Sequence, residues 1–277
     1  MNTALLPALF DSHCHLDLPE LWQDWPLHWQ QAKAAGVQAC LIPAVQLSAW
    51  LPLLALKQQQ PEFYIALGIH PWWAKAHSMQ ALTELDGLLA QQSDQICAVG
   101  EIGLDYAIAA DTFAIQQQLF AAQLALAGQY QKPVILHHRK SMVQLLAELK
   151  RQKFQQGGIL HAFSGSPEQG QDFLDLGFKL GIGGTISYQR SQKTQNAVRR
   201  LPLSAFVLET DAPAMPLYGF QGQINSPKQL ALVFQHFCSL RPERPEEIAK
   251  TLWQNTLEVL RLTGAAVQSF QSAPAGC

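Results

Sequence analysis

Histidines and a carboxylate lie at the ends of the first and last apolar segments of this 277-residue sequence. His13 and His15 close the first segment, and Asp211 closes the last. In a β-strand the side chains of residues i and i+2 point to the same side, so the two imidazoles can hold one metal ion between them. Asp211 completes that ligand set if the last strand lies beside the first. Cys14, which points the other way, is expected to pack in the interior.

A second group of metal-ligand types lies in the middle of the chain. Glu101 falls in the fourth apolar segment, and His137 and His161 fall at the ends of the fifth and sixth. We expect His137 and His161 to hold a second ion, and Glu101 to give one oxygen to each ion and bridge them. Few protein ligands per ion, with positions left open for water, are typical of catalytic metal sites. Imidazole ligands favour zinc or manganese over magnesium.

Eight short apolar segments supply the strands that would carry these residues: 8–13, 37–45, 63–70, 96–103, 132–138, 157–163, 178–184 and 206–211. Segments with helical spacing follow them: 27–35, 47–59, 79–92, 112–130, 141–153, 167–176, 190–200, 227–239 and 245–262. Strand followed by helix, eight times, predicts an α/β fold of the (β/α)8 TIM-barrel type. A doubly wound sheet would need a glycine-rich turn after the first strand, where this chain reads DSHCHLD. In a barrel the carboxyl ends of all strands open on one face, so the ligands would converge there.

Composition narrows the class of protein. Hydrophobic residues make up 48% of the chain, and 19 Lys and Arg against 21 Asp and Glu give a net charge of −2. This balance predicts a folded protein without a broad basic surface, which argues against holding nucleic acid by general phosphate neutralisation. We expect one TIM-barrel domain over 1–264 and a loose C-terminal tail over 265–277. No obligate protein partner is evident.

The cysteines and the apolar segments indicate a compartment. The five cysteines are scattered and contain no CxxC pair, which is typical of reduced thiols in a cytosolic protein. The N-terminus lacks the basic region of a signal peptide, and no apolar stretch reaches the length of a membrane span. We therefore expect a cytoplasmic protein that does not associate with a membrane.

Four residues are candidates for substrate binding: His70, Arg139, Ser164 and Asn225. For His70 a substrate contact is favoured over a role as a ligand. Arg139 lies two residues after His137, where its guanidinium can clamp a phosphate oxygen or, alternatively, pair with Glu209. Glu209 shares the side of Asp211 one layer deeper and is expected to orient a metal ligand. Asp105 and Tyr106 are expected on a loop at the mouth of the barrel, as substrate contacts.

Seven motifs along the chain together resemble the TatD family of metal-dependent hydrolases: DSHCHLD (11–17), GIHP (68–71), AVGEIGLDY (98–106), KPVILHHR (132–139), HAFSGS (161–166), GIGGTISY (181–188) and LETDAP (208–213). The stretch MPLYGFQGQ (215–223) is similar to the YjjV-type branch of that family. The resemblance implies a barrel, a cytoplasmic location and a nuclease using magnesium, manganese or zinc. It also implies metal-binding roles for six residues: His13, His15, Glu101, His137, His161 and Asp211.

One segment departs from the family pattern. Many TatD-like nucleases carry a basic run ahead of an Asn-x-Pro sequence after the eighth strand. Here residues 222–227 read GQINSP, which keeps Asn225 and Pro227 without the basic residues. The departure favours a small phosphate-containing substrate, or a DNA end, over a long duplex.

Three functions follow from these residues. The first is hydrolysis of an ester bond, in particular a phosphodiester as in a TatD-like deoxyribonuclease, with Asp211 taking the proton of the attacking water and Glu101 bridging two divalent ions. The second is hydrolysis of amide or acyl-ester bonds on the same barrel. Many such enzymes bridge their ions with a carboxylated lysine, but Lys132 lies at the wrong end of its strand. The third is a metal-binding protein without nuclease activity.

Overall fold

The strands of the computed structural model form one parallel sheet in chain order, and the model describes residues 7–77 and 79–262. The strands are β1 (Leu9–Asp11), β2 (Val37–Pro43), β3 (Phe63–Leu67), β4 (Ile96–Asp105), β5 (Val134–Arg139), β6 (Gly158–Leu160), β7 (Phe178–Ile182) and β8 (Phe206–Leu208). The predicted tail over 265–277 lies outside the described residues.

Backbone hydrogen bonds join the last strand to the first. The amide of Ser12 donates to the carbonyl of Leu208 at 2.9 Å, and the amide of Asp211 donates to the carbonyl of His13 at 2.9 Å. The sheet therefore curves into a nearly closed barrel, which confirms the predicted (β/α)8 fold and brings Asp211 beside His13.

Helices follow the strands in the predicted order. They are α1 (Pro19–Trp22), α2 (Trp25–Ala34), α3 (Trp50–Gln59), α4 (Met79–Gln91), α5 (Phe113–Gln129), α6 (Met142–Arg151), α7 (Pro167–Leu174), α8 (Gln192–Arg200), α9 (Leu230–Cys238) and α10 (Pro245–Val259). The short helix α1 and a 3₁₀ segment at Pro71–Ala76 were not predicted, since each is too short to show a helical period. None of the helices in the described ranges is long and apolar enough to cross a bilayer, and a cytoplasmic location stays a prediction.

Helix α10 closes one end of the barrel. Its Trp253 ring packs against Phe10 with the ring centroids 5.5 Å apart, within the apolar cluster that fills the barrel interior. The Asn255 amide of the same helix donates to the carbonyls of Leu203 and Phe206, at the start of β8. Since α10 covers the amino ends of the strands, their carboxyl ends form the open face of the barrel.

Candidate metal centre

Four side chains from the two joined edges of the barrel and from β4 surround one point at the open face. The Nε2 atoms of His13 and His15 lie 3.1 Å apart. Each lies 3.6 Å from Asp211 Oδ1, and they lie 3.3 and 3.2 Å from Glu101 Oε2. Ligands placed tetrahedrally at about 2.1 Å from a zinc ion would lie about 3.4 Å from one another. The spacing of these four atoms therefore fits a single cation.

The other oxygen of Glu101 faces a second group. Glu101 Oε1 lies 3.0 Å from His137 Nδ1 and 2.9 Å from His161 Nε2, and these two nitrogens lie 3.2 Å apart. The three atoms again have the spacing of ligands to one cation. The structure thus brings together all six residues predicted as metal ligands, with the carboxylate of Glu101 between two groups of donors.

A bulge in β4 places Glu101 at the centre. The pairing of β4 with β5 shifts in register between Val99 and Ile102, and bulges of this kind redirect side chains. Gly100 precedes Glu101, and a Cβ there would lie only 2.6 Å from the Cβ of Ile135. Glycine at this position lets the bulge approach β5, and Glu101 is turned inward until only 1% of its surface is exposed.

Hydrogen bonds on the outer side of two imidazoles fix which nitrogen faces the centre. His15 Nδ1 lies 3.0 Å from the carbonyl of Pro43, which can only accept, so Nδ1 carries a proton and Nε2 is the nitrogen that faces the centre. His137 Nε2 lies 3.2 Å from Asp105 Oδ2, which leaves His137 Nδ1 free to bind a cation. A carboxylate that supports a ligating imidazole from behind is a common feature of metal sites.

Asp105 was expected on a loop as a substrate contact, but it lies in strand β4, and a contact with substrate stays a prediction. Its side chain is buried at the end of β4, where Oδ2 also accepts a 2.6 Å hydrogen bond from the indole of Trp72. Oδ1 accepts from the backbone amide of Ala107. With its oxygens engaged in this way, Asp105 is a positioning residue for His137.

Replacing Asp105 by Asn should weaken metal binding without removing a ligand. Because the amide would present an N–H group or a weaker acceptor to His137, we expect metal affinity to fall about 10- to 100-fold, as for other residues that support a ligating histidine. Titration calorimetry with Zn²⁺ measures the change. Asp94→Asn, in the exposed turn before the same strand, is the matched control. Equal zinc affinity in the two variants would contradict this role.

Glu209, which was expected to orient a metal ligand, lies behind His161. Its Oε1 accepts a 2.6 Å hydrogen bond from the amide of Ala162 and lies 3.7 Å from His161 Nδ1. Gly181 makes room for the carboxylate, since a Cβ there would lie 2.1 Å from Glu209 Oε2. The alternative pairing of Glu209 with Arg139 is not found among the described residues.

Asp11 is a supporting residue that the sequence analysis missed. Its Oδ1 accepts from the amides of Thr210 and His13, and its Oδ2 accepts from the Thr210 hydroxyl at 2.7 Å. These bonds tie the end of β1 to the segment that carries Asp211. The position of Asp11, two residues before His13 and therefore on the same side of the strand, is the sequence signal that could have identified it.

His70 joins the centre as a hydrogen-bond donor. Its Nδ1 accepts a 3.1 Å bond from the amide of Trp72, and its Nε2 lies 3.4 Å from Glu101 Oε1. Burial lowers the pKa of His70 to about 4, so the ring is neutral at pH 7. A neutral ring that accepts at Nδ1 carries its proton on Nε2. His70 is therefore a hydrogen-bond donor to Glu101, and its role in substrate binding stays a prediction.

The other residues predicted to contact substrate differ in their exposure. Arg139 and Ser164 line a cavity at the carboxyl ends of β5 and β6. Asn225, in contrast, is buried, and its amide donates to the backbone carbonyls of Thr210 and Ala214 while its oxygen accepts from Ser226. These hydrogen bonds hold the loop after Asp211, and a contact of Asn225 with substrate stays a prediction.

Protonation of the centre couples to metal binding. Burial opposes the ionisation of Glu101, but the surrounding imidazoles outweigh it and hold its pKa well below the usual range. Burial likewise opposes protonation of His15, yet its hydrogen bond to Glu101 and the nearby carboxylates raise its pKa to about 9. Without a cation, His15 therefore carries a second proton at neutral pH.

Metal uptake should release protons. A cation must displace the proton on His15 Nε2, and the raised pKa of His161 adds to the effect. We expect zinc binding at pH 7 to release at least one proton, and affinity to fall as the pH is lowered. Calorimetry in buffers of different ionisation enthalpy measures the number of protons. Binding heats that do not depend on the buffer would contradict the protonated state.

The fold and this ligand set together define a class of protein. An eight-stranded parallel barrel holds imidazoles and carboxylates from β4, β5 and the ends of β1, β6 and β8 at its open face, with the spacing of metal ligands. Barrel enzymes carry their active sites at this face. The class is that of the metal-dependent barrel hydrolases.

Comparison with known proteins gives the family. The family model described as TatD related DNase matches residues 10–261. The uncharacterized metal-dependent hydrolase YjjV of Escherichia coli K12 is 44% identical over 252 residues, 91% of this chain and 97% of that protein. The crystal structure of YjjV, a TatD homologue from E. coli K12, matches with a TM-score of 0.88 and 42% identity, over 92% of this chain and 98% of that one. An uncharacterized metal-dependent hydrolase of Haemophilus influenzae is 39% identical over 90% of this chain and 98% of its own length. The chain belongs to the TatD family and is a metal-dependent hydrolase.

Proposed function

We propose that this protein hydrolyses phosphodiester bonds with two divalent cations, which can be zinc, manganese or magnesium, and that DNA ends are among its substrates. One cation would be held by His13, His15, Asp211 and Glu101 Oε2. The other would be held by His137, His161 and Glu101 Oε1. The observation that carries the proposal is the carboxylate of Glu101, whose two oxygens face two separate groups of donors at distances of 2.9–3.3 Å.

Asp211 is the proton acceptor in this proposal. Bound cations would supply an activated water and neutralise the charge that develops on the phosphate. Burial raises the pKa of Asp211 to about 6, above its ordinary value of 3.8 and closer to neutral pH. Its side chain is 11% exposed, against 1% for Glu101, so it lies at the edge of the centre where a substrate can approach. A carboxylate in this position can take a proton from water and pass it to the leaving oxygen.

His70 and Arg139 bind the substrate in this proposal. The Nε2–H of His70 already points at a carboxylate oxygen and can donate to a phosphate oxygen beside it. Arg139 extends from the end of β5, exposed and without an ion pair in the part of the chain that the structure describes. Both groups suit an anionic tetrahedral phosphate better than a neutral amide. They favour a phosphodiester substrate over an amide or acyl ester.

Removal of metal should abolish activity, and its return should restore it. We expect protein treated with a chelator to lose hydrolysis of bis(p-nitrophenyl) phosphate and of short DNA ends, and to regain it with Mn²⁺ or Zn²⁺. The same protein is assayed on p-nitrophenyl acetate and dihydropyrimidine amides under each metal. Hydrolysis of the acyl or amide substrates alone would show an amidohydrolase-type activity. Metal binding without turnover of any of these substrates would show a protein that has kept the site without the reaction.

A further inference from the structure

A cavity of about 640 Å³ lies at the carboxyl ends of β5 and β6, the strands that lead to His137 and His161, and its charged side chains are all cations. Arg139 and Lys140 enter it from the end of β5, and Lys193 enters it from the first turn of α8. No Asp or Glu side chain is among the described residues that line it. We call this space the cation cavity. Three positive charges in one cavity stand out in a chain whose net charge is −2.

None of the three cations has an ion-pair or side-chain hydrogen-bond partner within residues 7–77 and 79–262. Some other basic side chains in the same ranges are paired, such as Arg241 with Glu243 and Lys75 with Asp111, whereas others, such as Lys250, are unpaired but do not line a cavity together with further cations. The three exposed cations line one cavity that has no carboxylate, so an anion in the cavity would be attracted by all three. The arrangement points to an anionic ligand.

The position of the cation cavity connects it to the reaction. Arg139 follows the candidate ligand His137 by two residues, and Ser164, which also lines the cavity, follows His161 by three. A substrate phosphate at the metal centre would therefore have the cavity next to it on the β5–β6 side. Val143, 73% exposed at the start of α6, adds an apolar surface at the rim. The volume falls within the roughly 300–1,000 Å³ typical of ligand sites.

We propose that the cation cavity binds a second phosphate of the substrate, so that the enzyme acts on an oligonucleotide with a further phosphate beside the bond that it cleaves. The inference rests on the proposed phosphodiesterase activity. Guanidinium and ammonium groups recognise phosphate oxygens, and sugar can lie against the apolar rim. Phosphate contacts of this kind hold a strand in place without reading its sequence.

The test compares substrates that differ by one phosphate. Thymidylyl-thymidine, which has a single phosphodiester, is assayed beside the same dinucleotide with a 5′-phosphate or a 3′-phosphate. We expect one phosphorylated form to be preferred in kcat/KM by about tenfold, the scale of one hydrogen bond to a charged group. In the double variant Lys140→Gln/Lys193→Gln this preference should disappear, whereas Lys250→Gln, on α10 at the other end of the barrel, should keep it.

A binding measurement separates failure of this inference from failure of the proposed function. Fluorescence anisotropy with labelled hexathymidylate and a chelator present needs no turnover, and the double variant should bind more weakly than the wild type and the Lys250→Gln protein. Equal kcat/KM for all three dinucleotides, or an unchanged preference in the double variant, would overturn the second-phosphate site. Displacement of the hexathymidylate by polyglutamate at equal charge would overturn it in favour of an acidic protein segment. Absence of any phosphodiester cleavage, with normal hexathymidylate binding, would refute the activity and leave the anion site standing.

Discussion

Glu101→Gln should reduce phosphodiester hydrolysis by about a thousandfold or more, because loss of metal-ion catalysis removes several kcal/mol of transition-state stabilisation. The amide has the shape of the carboxylate but can offer only one acceptor oxygen. Its NH₂ group must then face one of the two groups of nitrogens, either His13 and His15 or His137 and His161. The imidazole nitrogens of one pair would then face an N–H group, and the cation between them would lose its anionic oxygen ligand.

The same change should lower the metal content of the protein. We expect mass spectrometry of the purified protein, loaded with excess zinc and desalted, to give two ions per chain for the wild type and one or fewer for Glu101→Gln. Glu84→Gln, an exposed position on α4, tests the loss of one carboxylate elsewhere. Thermal unfolding followed by circular dichroism shows whether each variant is folded. A folded Glu101→Gln protein with two ions and wild-type turnover would refute the bridging role.

The convergence of the candidate ligands could be predicted from the sequence because they lie at the ends of strands. A parallel barrel brings the carboxyl ends of its strands to one face, so His13, His137 and His161 converge wherever the strand order is sequential. The spacing of His13 and His15 also fixed that both imidazoles point the same way. These inferences need only the positions of strands, which apolar segments reveal.

The residues behind the ligands could not be predicted in the same way. Asp105 reaches His137 across neighbouring strands, and Asp11 reaches Thr210 across the seam that closes the barrel. The side-chain amide of Asn225 donates to backbone carbonyls of a loop whose path the sequence does not specify. Hydrogen bonds of this kind depend on strand register and on the path of each loop. The type of a residue at the mouth of a barrel does not reveal whether its side chain already has hydrogen-bond partners within the protein.

The composition of the chain could not predict where its cations lie. A net charge of −2 argues against a basic surface over the whole molecule, but the net charge says nothing about how the charges are arranged. Paired cations such as Arg241 contribute to that sum as much as the unpaired Arg139. Only the folded chain shows that three unpaired cations share one cavity at the carboxyl ends of β5 and β6.

Asp211→Asn should slow hydrolysis by about 10²- to 10⁴-fold even at saturating metal, which is the range for loss of a general base or acid. Asparagine is the appropriate replacement because Asp211 has a positive φ of 54°, a conformation that Asn adopts more readily than most residues. The amide can still offer an oxygen to the cation beside His13 and His15, but it cannot take a proton from water. The loss should therefore appear in kcat more than in metal content.

The pH profile separates this role from simple metal binding. Asp211 must be ionised to accept a proton, so wild-type activity should rise with pH through the pKa of this carboxyl, which burial raises to about 6 and which a bound cation would shift downward. The rising limb should thus lie at or below about pH 6 and should be absent from the Asp211→Asn profile. Asp172→Asn, at an exposed position on α7, should keep the limb. The Asp211→Asn protein is freed of contaminating nuclease and saturated with metal before the assay. If it hydrolysed the substrate at the wild-type rate with the same acid limb, another group would have to be the proton acceptor. That group could not be His70 without a change of tautomer, because Nε2 of His70 already carries a proton.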